Sequence, residues 1–313
     1  MSGPRIAFFG YADVGHACLS MLLERDAHVA VVYTHADAPG ETTWFPSVAE
    51  LAVRNGIPVR LDARLTEPAQ LAALRSAGPD LVLSCYYRSL LPLAALAVAP
   101  LGSFNVHGSL LPRYRGRAPV NWAVLNGETE TGATLHVMTA RADAGDIVDQ
   151  EAVPIGPDDT ACEVQTRVCD AAVRVLERQL DALASGRAPR RPQDTSRATT
   201  FGRRRPEDGA FDWNRSAAEI HNLVRAVSHP YPGAFTPHAG RTLYLWRTRN
   251  GGWSANGAQP GEMRVIDDCL YVACGSSANT HWLEIVRGQI EGDVERDGAD
   301  LARHLAPHTS TTP

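Results

Sequence analysis

Lysine is missing from this chain: all 30 basic side chains are arginine. That absence excludes a Schiff-base lysine, a phosphate-loop lysine and a lysine general base. The first strand-to-helix turn, "GYADVGHA", carries Gly10 and Gly15 at phosphate-loop spacing, but His16 stands where lysine is required. The triple-glycine dinucleotide fingerprint is missing as well, so NAD is not expected and a dinucleotide oxidoreductase is disfavoured. Six cysteines (18, 85, 162, 169, 269 and 274) are scattered without a Cys-x-x-Cys pair, and they read as free, mostly buried thiols. The 11 histidines are dispersed and His-Glu-x-x-His does not occur, so no metal is assigned. Gly-x-Ser-x-Gly is also lacking, which disfavours a covalent acyl-enzyme.

Long apolar runs are few. The best candidate, "LLPLAALAVAPLG", is interrupted by Pro92 and Pro100 and falls short of the roughly 18 residues that span a bilayer, so membrane insertion is not expected. The opening "MSGPRIAFFG" passes straight into an apolar strand pattern without a basic region or cleavage signal, as expected of a cytoplasmic protein. Net charge is −5, which gives no general attraction to nucleic acid. With 44% hydrophobic and 21% charged residues, the chain has the composition of a globular protein that folds unaided. No oligomeric state follows from these features.

The residues present fall into two regions of different grammar. Up to about residue 150, apolar strand patterns alternate with helical ones: "RIAFFG", "HACLSMLLERD", "HVAVVYTH", "FPSVAELAVRNG", "IPVRL", "EPAQLAALRSAG", "PDLVLSCYY" and "GSFNVHG". The alternation predicts an α/β fold, a Rossmann-like parallel sheet covered by helices. Apolar residues Val164, Val168, Ala171, Ala172, Val175, Leu176, Leu180 and Leu183 recur at helical spacing and predict a helix over 160–185, stopped at Gly186. Residues 187–210 are rich in Arg, Pro and Thr and lack periodicity, as in a linker. After one helix, "SAAEIHNLVRAVS", short strand-like runs separated by turn residues predict a small β-barrel. The expected division is a catalytic domain over 1–188, a linker over 189–206, a second domain over 207–305 and a frayed tail over 306–313.

Within this frame, "FNVHGSLLPRYRGRAPVNWAV" begins like a buried strand and then turns polar. Asn105 and His107 are two apart, so they share one face of an extended segment. They fall at a strand end, the edge of such a sheet where ligands bind. An amide can donate to a developing oxyanion and an imidazole can move a proton near neutral pH, a combination suited to acyl transfer. An acid that orients the imidazole and favours its charged form would complete the set. "MTARADAGDIV" offers Asp143 and, three residues on, Asp146; spacing leaves both open.

The stretch "FNVHGSLLPRYRGRAPVNWAVLNGETETGATLHVM" followed by "ADAGDIV" resembles the formyltransferases that use 10-formyltetrahydrofolate, which share Asn-x-His, then Ser-Leu-Leu-Pro-x-x-Arg-Gly, then Asp-x-Gly. "YTHADAPGE", "CYYRSLLP", "RGRAPVNW" and "RADAG" are most similar to the branch acting on UDP-4-amino-4-deoxy-L-arabinose, and "FGRRRPEDGAFDW" and "HNLVRAVSHPYPGAF" extend the resemblance through most of the chain. The resemblance implies a Rossmann-like catalytic domain followed by a smaller OB-like domain. It implies catalysis by Asn105, His107 and Asp143, with Asp143 holding the His107 ring and favouring its protonated form. Folate contacts are implied at Ser89, Leu90, Leu91, Arg117 and Thr139, Ala140, Arg141, Ala142 and Asp143, with Leu110 and Pro112 bordering the pocket. The co-substrate implied is 10-formyltetrahydrofolate, and the partner a nucleotide-linked amino sugar. That branch also carries a second, oxidatively decarboxylating module in its best-known enzyme, in a pathway that modifies lipid A. Only the formyltransferase part is expected of this chain.

Two rival readings remain. Methionyl-tRNA formyltransferase shares the chemistry, but usually has a basic loop after the second strand and a basic second domain to meet tRNA phosphates. Here the loop is "THADAPGETTWFP", without a basic residue, and from Pro206 onward nine arginines face 13 acidic side chains. A non-catalytic folate- or nucleotide-binding module is the other rival, weakened by the complete Asn–His–Asp set.

Overall fold

The computed structural model describes residues 3–37, 43–276 and 278–305. The expected tail over 306–313 lies outside the described residues. Two compact units are present. The first takes in the residues up to Pro119, then Glu130–Pro154 and Gln165–Gly202; the second takes in Val120–Thr129, Ile155–Val164 and Arg203 onward.

The first unit opens with strand β1 (Ile6–Gly10), helix α1 (Ala12–Glu24), β2 (Val29–Thr34), α2 (Val48–Arg54) and β3 (Val59–Leu61). It continues with α3 (Pro68–Ser76), β4 (Leu81–Cys85), α4 (Leu93–Leu96), β5 (Ser103–His107) and the short β6 (Arg115–Gly116). After helix α5 (Pro119–Leu125), which falls in the second unit from Val120, come β7 (Glu130–Val137), β8 (Ile147–Pro154), α6 (Ala161–Ala184), in the first unit from Gln165, and the short β9 (Thr200–Phe201). The main sheet has the order β3-β2-β1-β4-β5-β7-β8. β1 to β5 run parallel, while β7 and β8 add antiparallel pairings at one side. β1 and β4 are buried along their whole length, as strands covered on both faces should be.

Strand order reverses between β1 and β4, and at such a switch point the carboxyl edge of an open sheet forms a crevice. The turn from β1 into α1 borders it. A Cβ on Gly15 would come within 2.9 Å of the Gly10 carbonyl carbon and 3.2 Å of the Cys85 oxygen. Close backbone packing therefore accounts for this glycine without a phosphate. α6 matches its apolar periodicity, with Val164, Val168, Ala171, Ala172, Val175, Leu176 and Leu183 all buried.

The stretch expected as a linker follows the first unit as far as Gly202. Arg191 pairs with Ile147 in a β-bridge, β9 pairs in parallel with β6, and the Phe201 ring stacks on Tyr114 at 5.0 Å.

The second unit contains helix α7 (Ala217–Val227), β10 (Ala234–His238), β11 (Arg241–Ser254), β12 (Met263–Ile266), β13 (Cys269–Ser276), β14 (Asn279–Ile290), β15 (Arg296–Asp297) and α8 (Gly298–Leu305). Its antiparallel sheet has the order β10-β11-β14-β13-β12, with β15 on β14. A reciprocal capping box starts α7: Ser216 Oγ accepts from the Glu219 N–H and the Glu219 carboxylate accepts from the Ser216 N–H. Among the described residues no helix is long and apolar enough to cross a membrane.

Candidate active site

β5 and β7 meet antiparallel, with Asn105 opposite His136 and His107 opposite Thr134. Because side chains alternate along a strand and directly opposed residues are neighbours, four polar side chains share one face of the sheet. Asn105 Nδ2 donates to His136 Nε2 at 3.1 Å. His136 is 1% exposed and His107 7%, so neither ring is bathed in water.

Asp143 closes the set from the loop after β7. Its Oδ1 lies 3.7 Å from His107 Nδ1 and 3.5 Å from His136 Nε2, and its Oδ2 accepts from the Gly116 N–H at 2.8 Å. Asp146, the other acid of that loop, contributes its backbone carbonyl to the Val137 N–H. Burial pushes the Asp143 carboxyl up. The His107 ring, the His136 ring and the Gly116 N–H together outweigh that and hold it below the usual carboxylate range.

The loop is held by its own supports. Gln193 Nε2 donates to the carbonyls of Asp143 (2.9 Å) and Gly145 (2.7 Å), and its Oε1 accepts from the guanidinium of buried Arg115. Asp143 has φ of 53° and Tyr114 of 59°, left-handed values that non-glycine residues adopt at a cost. The Tyr114 carbonyl accepts from His107 Nε2 at 2.8 Å. That bond pins one nitrogen to the backbone, which leaves Nδ1 as the nitrogen that can exchange a proton.

A cleft of about 450 Å³ lies at the carboxyl ends of β2, β3 and β4, the edge of the parallel sheet at which β5 also ends, and is lined in part by His35, Asp62, Tyr87 and Ser89–Leu91. His35 Nδ1 donates to Asp62 Oδ1 (3.1 Å), its Nε2 accepts from the Arg88 N–H (3.2 Å), and its ring stacks on Tyr87 at 4.3 Å. Burial, with Arg88 and Arg117 adding, lowers the His35 pKa despite Asp62. Arg117 donates to the Arg88 carbonyl at 2.9 Å, tying the β4 loop to the segment that carries Gly116.

The expected residues thus fall into groups. Asn105, His107 and Asp143 converge. Ser89, Leu90 and Leu91 line the cleft, and Leu90 is 77% exposed. Thr139, Ala140, Arg141 and Ala142 are exposed on the loop that carries Asp143, with Thr139 Oγ1 donating to the Arg141 carbonyl. Leu110 lies over Gly132, where a Cβ would come within 2.7 Å of its Cδ2, and the Pro112 carbonyl accepts from the Thr199 N–H. Sequence reasoning missed His136, the Tyr114 carbonyl, the Gly116 N–H and Gln193. A signal existed for His136 alone: it is the one ring nitrogen source in the apolar strand "GATLHVM". Among the described residues no group of His, Cys, Asp and Glu could hold a metal ion.

Residues 4–180 match the formyl transferase model, and residues 204–305 match the formyl transferase C-terminal domain. The chain belongs to the formyl transferase family. This formyltransferase shares its fold with several solved structures. An N-formyltransferase from Helicobacter canadensis, solved with folinic acid and dTDP-3-aminofucose, superposes with a TM-score of 0.69 at 18% identity, over 91% of this chain and 99% of its own. WlaRD, a sugar 3N-formyltransferase solved in the presence of dTDP and 5-N-formyl-THF, gives 0.68 at 17% identity, over 94% and 100%. HypX from Aquifex aeolicus gives 0.64 at 18% identity over 100% of this chain and 49% of its own, so the formyltransferase spans about half the length of HypX.

Proposed function

We propose that the formyltransferase moves a formyl group from 10-formyltetrahydrofolate to the amine of a nucleotide-linked amino sugar, UDP-4-amino-4-deoxy-L-arabinose being the sugar its sequence resemblance favours. The observation that carries the reading is the convergence of Asn105, His107 and Asp143 at the end of β5. Two relatives of the same fold were solved with reduced folates and with dTDP or a dTDP-linked amino sugar, which supports the substrate class.

The residues present suit a folate. Its flat ring and polar edge call for aromatic and apolar contacts beside polar groups, and the cleft offers Tyr87, Leu90 and Leu91 alongside His35, Asp62 and Ser89 within the volume range of small-molecule sites. Ser89–Leu91, Arg117 and Thr139–Asp143 would hold it, with Leu110 and Pro112 at the border. When bound, the folate supplies the formyl carbon and a weakly basic nitrogen leaving group. Asn105 donates to the oxygen on which charge builds as the amine adds, a contribution that grows only as the barrier is climbed. His107 Nδ1 takes the proton the amine sheds and can return it to the departing nitrogen, while its Nε2 stays on the Tyr114 carbonyl. Ionised Asp143 faces Nδ1 and stabilises the imidazolium in between.

The test is a formylation assay with a panel of UDP- and dTDP-linked amino sugars, with methionyl-tRNA alongside, comparing kcat/KM. Formylation of methionyl-tRNA with none of the sugars accepted would overturn the sugar reading. Low acceptance of the aminoarabinose nucleotide beside a better sugar would revise only the sugar named. The acidic balance from Pro206 onward favours the sugar over tRNA, whose binding rests on phosphate contacts.

A further inference from the structure

We propose that His136 is a positioning residue that fixes the amide orientation of Asn105, so that a donor and not an acceptor faces the oxygen that gains charge. The inference rests on the formyl-transfer reading. The two ends of an asparagine amide have nearly the same shape, and only hydrogen-bond partners decide which end points where. Among the described residues, the one side-chain hydrogen bond of Asn105 runs to His136 Nε2, at 3.1 Å. His136 therefore makes the choice alone.

The ring can make it because its own state is fixed by the backbone. His136 Nδ1 lies 2.9 Å from the Val137 carbonyl, an obligate acceptor, so Nδ1 carries the hydrogen. In the neutral ring Nε2 is then an acceptor, and it takes one hydrogen of Asn105 Nδ2. The second hydrogen of the same nitrogen is left for the reacting oxygen. Asp143 Oδ1 also faces Nε2, but at 3.5 Å against 3.1 Å for Asn105 Nδ2, and Asp143 Oδ2 is taken by the Gly116 N–H. A charged His136 would carry a hydrogen on Nε2 as well. That hydrogen would turn to Asp143 and meet the Asn105 N–H head-on, and the amide would have to turn over. Its oxygen would then oppose the charge it should stabilise.

The two histidines of the site thus divide the work by which nitrogen the backbone takes. The Tyr114 carbonyl takes Nε2 of His107 and leaves Nδ1 toward Asp143; the Val137 carbonyl takes Nδ1 of His136 and leaves Nε2 toward Asn105. One ring is set to exchange a proton, the other to accept a hydrogen bond and keep it.

The experiment measures wild-type formyl transfer first; no transfer to any amine counts against the function and not against this role. With an active wild type, His136→Leu, which offers no acceptor, should lower kcat by about 10- to 100-fold, up to the loss of an oxyanion donor. KM for both substrates should stay within about threefold, since the interaction matters mainly as charge develops. His136→Gln, whose Oε1 can accept the same hydrogen, should recover most of the rate. In an Asn105→Ala background, His136→Leu should cost less than about threefold more, because the group it orients is gone. Equal losses in the Gln and Leu variants, or a full additional loss in the Asn105→Ala background, would mean a merely structural ring. If His136→Leu does not fold, the ring ¹⁵N shifts of the wild type decide. Nδ1 protonated with bare Nε2 supports the role, and Nε2 protonated overturns it.

Discussion

Both units of the molecule bury histidine, and His221 of the second is treated differently from His107 of the first. In the second unit, His221 has both ring nitrogens in hydrogen bonds of 2.9 Å, to Thr248 Oγ1 and to the Pro157 carbonyl. Arg225 beside it gives its hydrogens to Asn222 Oδ1 and to the carbonyls of Gly156 and Asp159. Burial lowers the pKa of His221, and the carboxylate of Asp158 beside it, at 3.6 Å, is half exposed. In the first unit His107 has one nitrogen in a 2.8 Å bond to the backbone and the other 3.7 Å from the largely covered carboxylate of Asp143. A satisfied ring gains nothing by moving a proton. The His107 nitrogen that faces the carboxylate is left for the proton transfer proposed above.

The sharpest way to break the comparison is to delete both rings in turn. His107→Ala should lower kcat per folded molecule by roughly 10² to 10⁴, the usual contribution of an acid–base group. Near-normal turnover in a formylation assay would remove His107 from the mechanism. Asp143→Asn should follow with a loss of about tenfold or more, since the charged ring loses its counter-ion; Asp146→Asn should be close to wild type. A loss at Asp146 and none at Asp143 would reassign the carboxylate. His221→Leu should do the reverse: a stability loss of about 1–3 kcal/mol by denaturant titration, from stranding the Thr248 hydroxyl and the Pro157 carbonyl, at unchanged kcat per folded molecule.

That contrast also explains what was legible in advance. Asn105 and His107 could be read because a strand has period two and its polar exceptions stand out against Phe104 and Val106. The α/β alternation and α6 were legible for the same reason, since their apolar periods are long and regular. Asp143 and Asp146 could not be separated by spacing, because the difference is a left-handed backbone at Asp143 that turns its carboxylate inward. His136 sat unnoticed in an apolar strand, where a histidine reads as core. Its partner depends on an antiparallel register that no local pattern reveals. β8 and β10 escaped notice because their alternation is irregular, "IVDQEAVP" and "AFTPH". Residues 191–201 lacked periodicity because bridges and single side chains such as Gln193 hold them. The Tyr114 carbonyl and Gly116 N–H are backbone groups, and the residue types at those positions carry no sign of them.

The smallest effect is also the one that distinguishes the two regions by charge alone. Both His221 and Asp143 have pKa values lowered in the folded protein, so in each case the unfolded chain binds the proton first as pH falls. Stability then rises with pH across each window and is lost on acidification. For His221 the loss begins below the ordinary histidine value of about 6.5, and for Asp143 below the ordinary aspartate value of about 3.9. Urea midpoints taken from pH 7.5 down to pH 3 should therefore show His221→Gln flattening the upper part of the curve and Asp143→Asn the lower part. Each difference is taken against wild type, so the other titrating groups cancel. If Asp143→Asn left the slope below pH 4 unchanged, the carboxylate would not be held ionised by its neighbours, and the charge partner assigned to His107 would be lost with it.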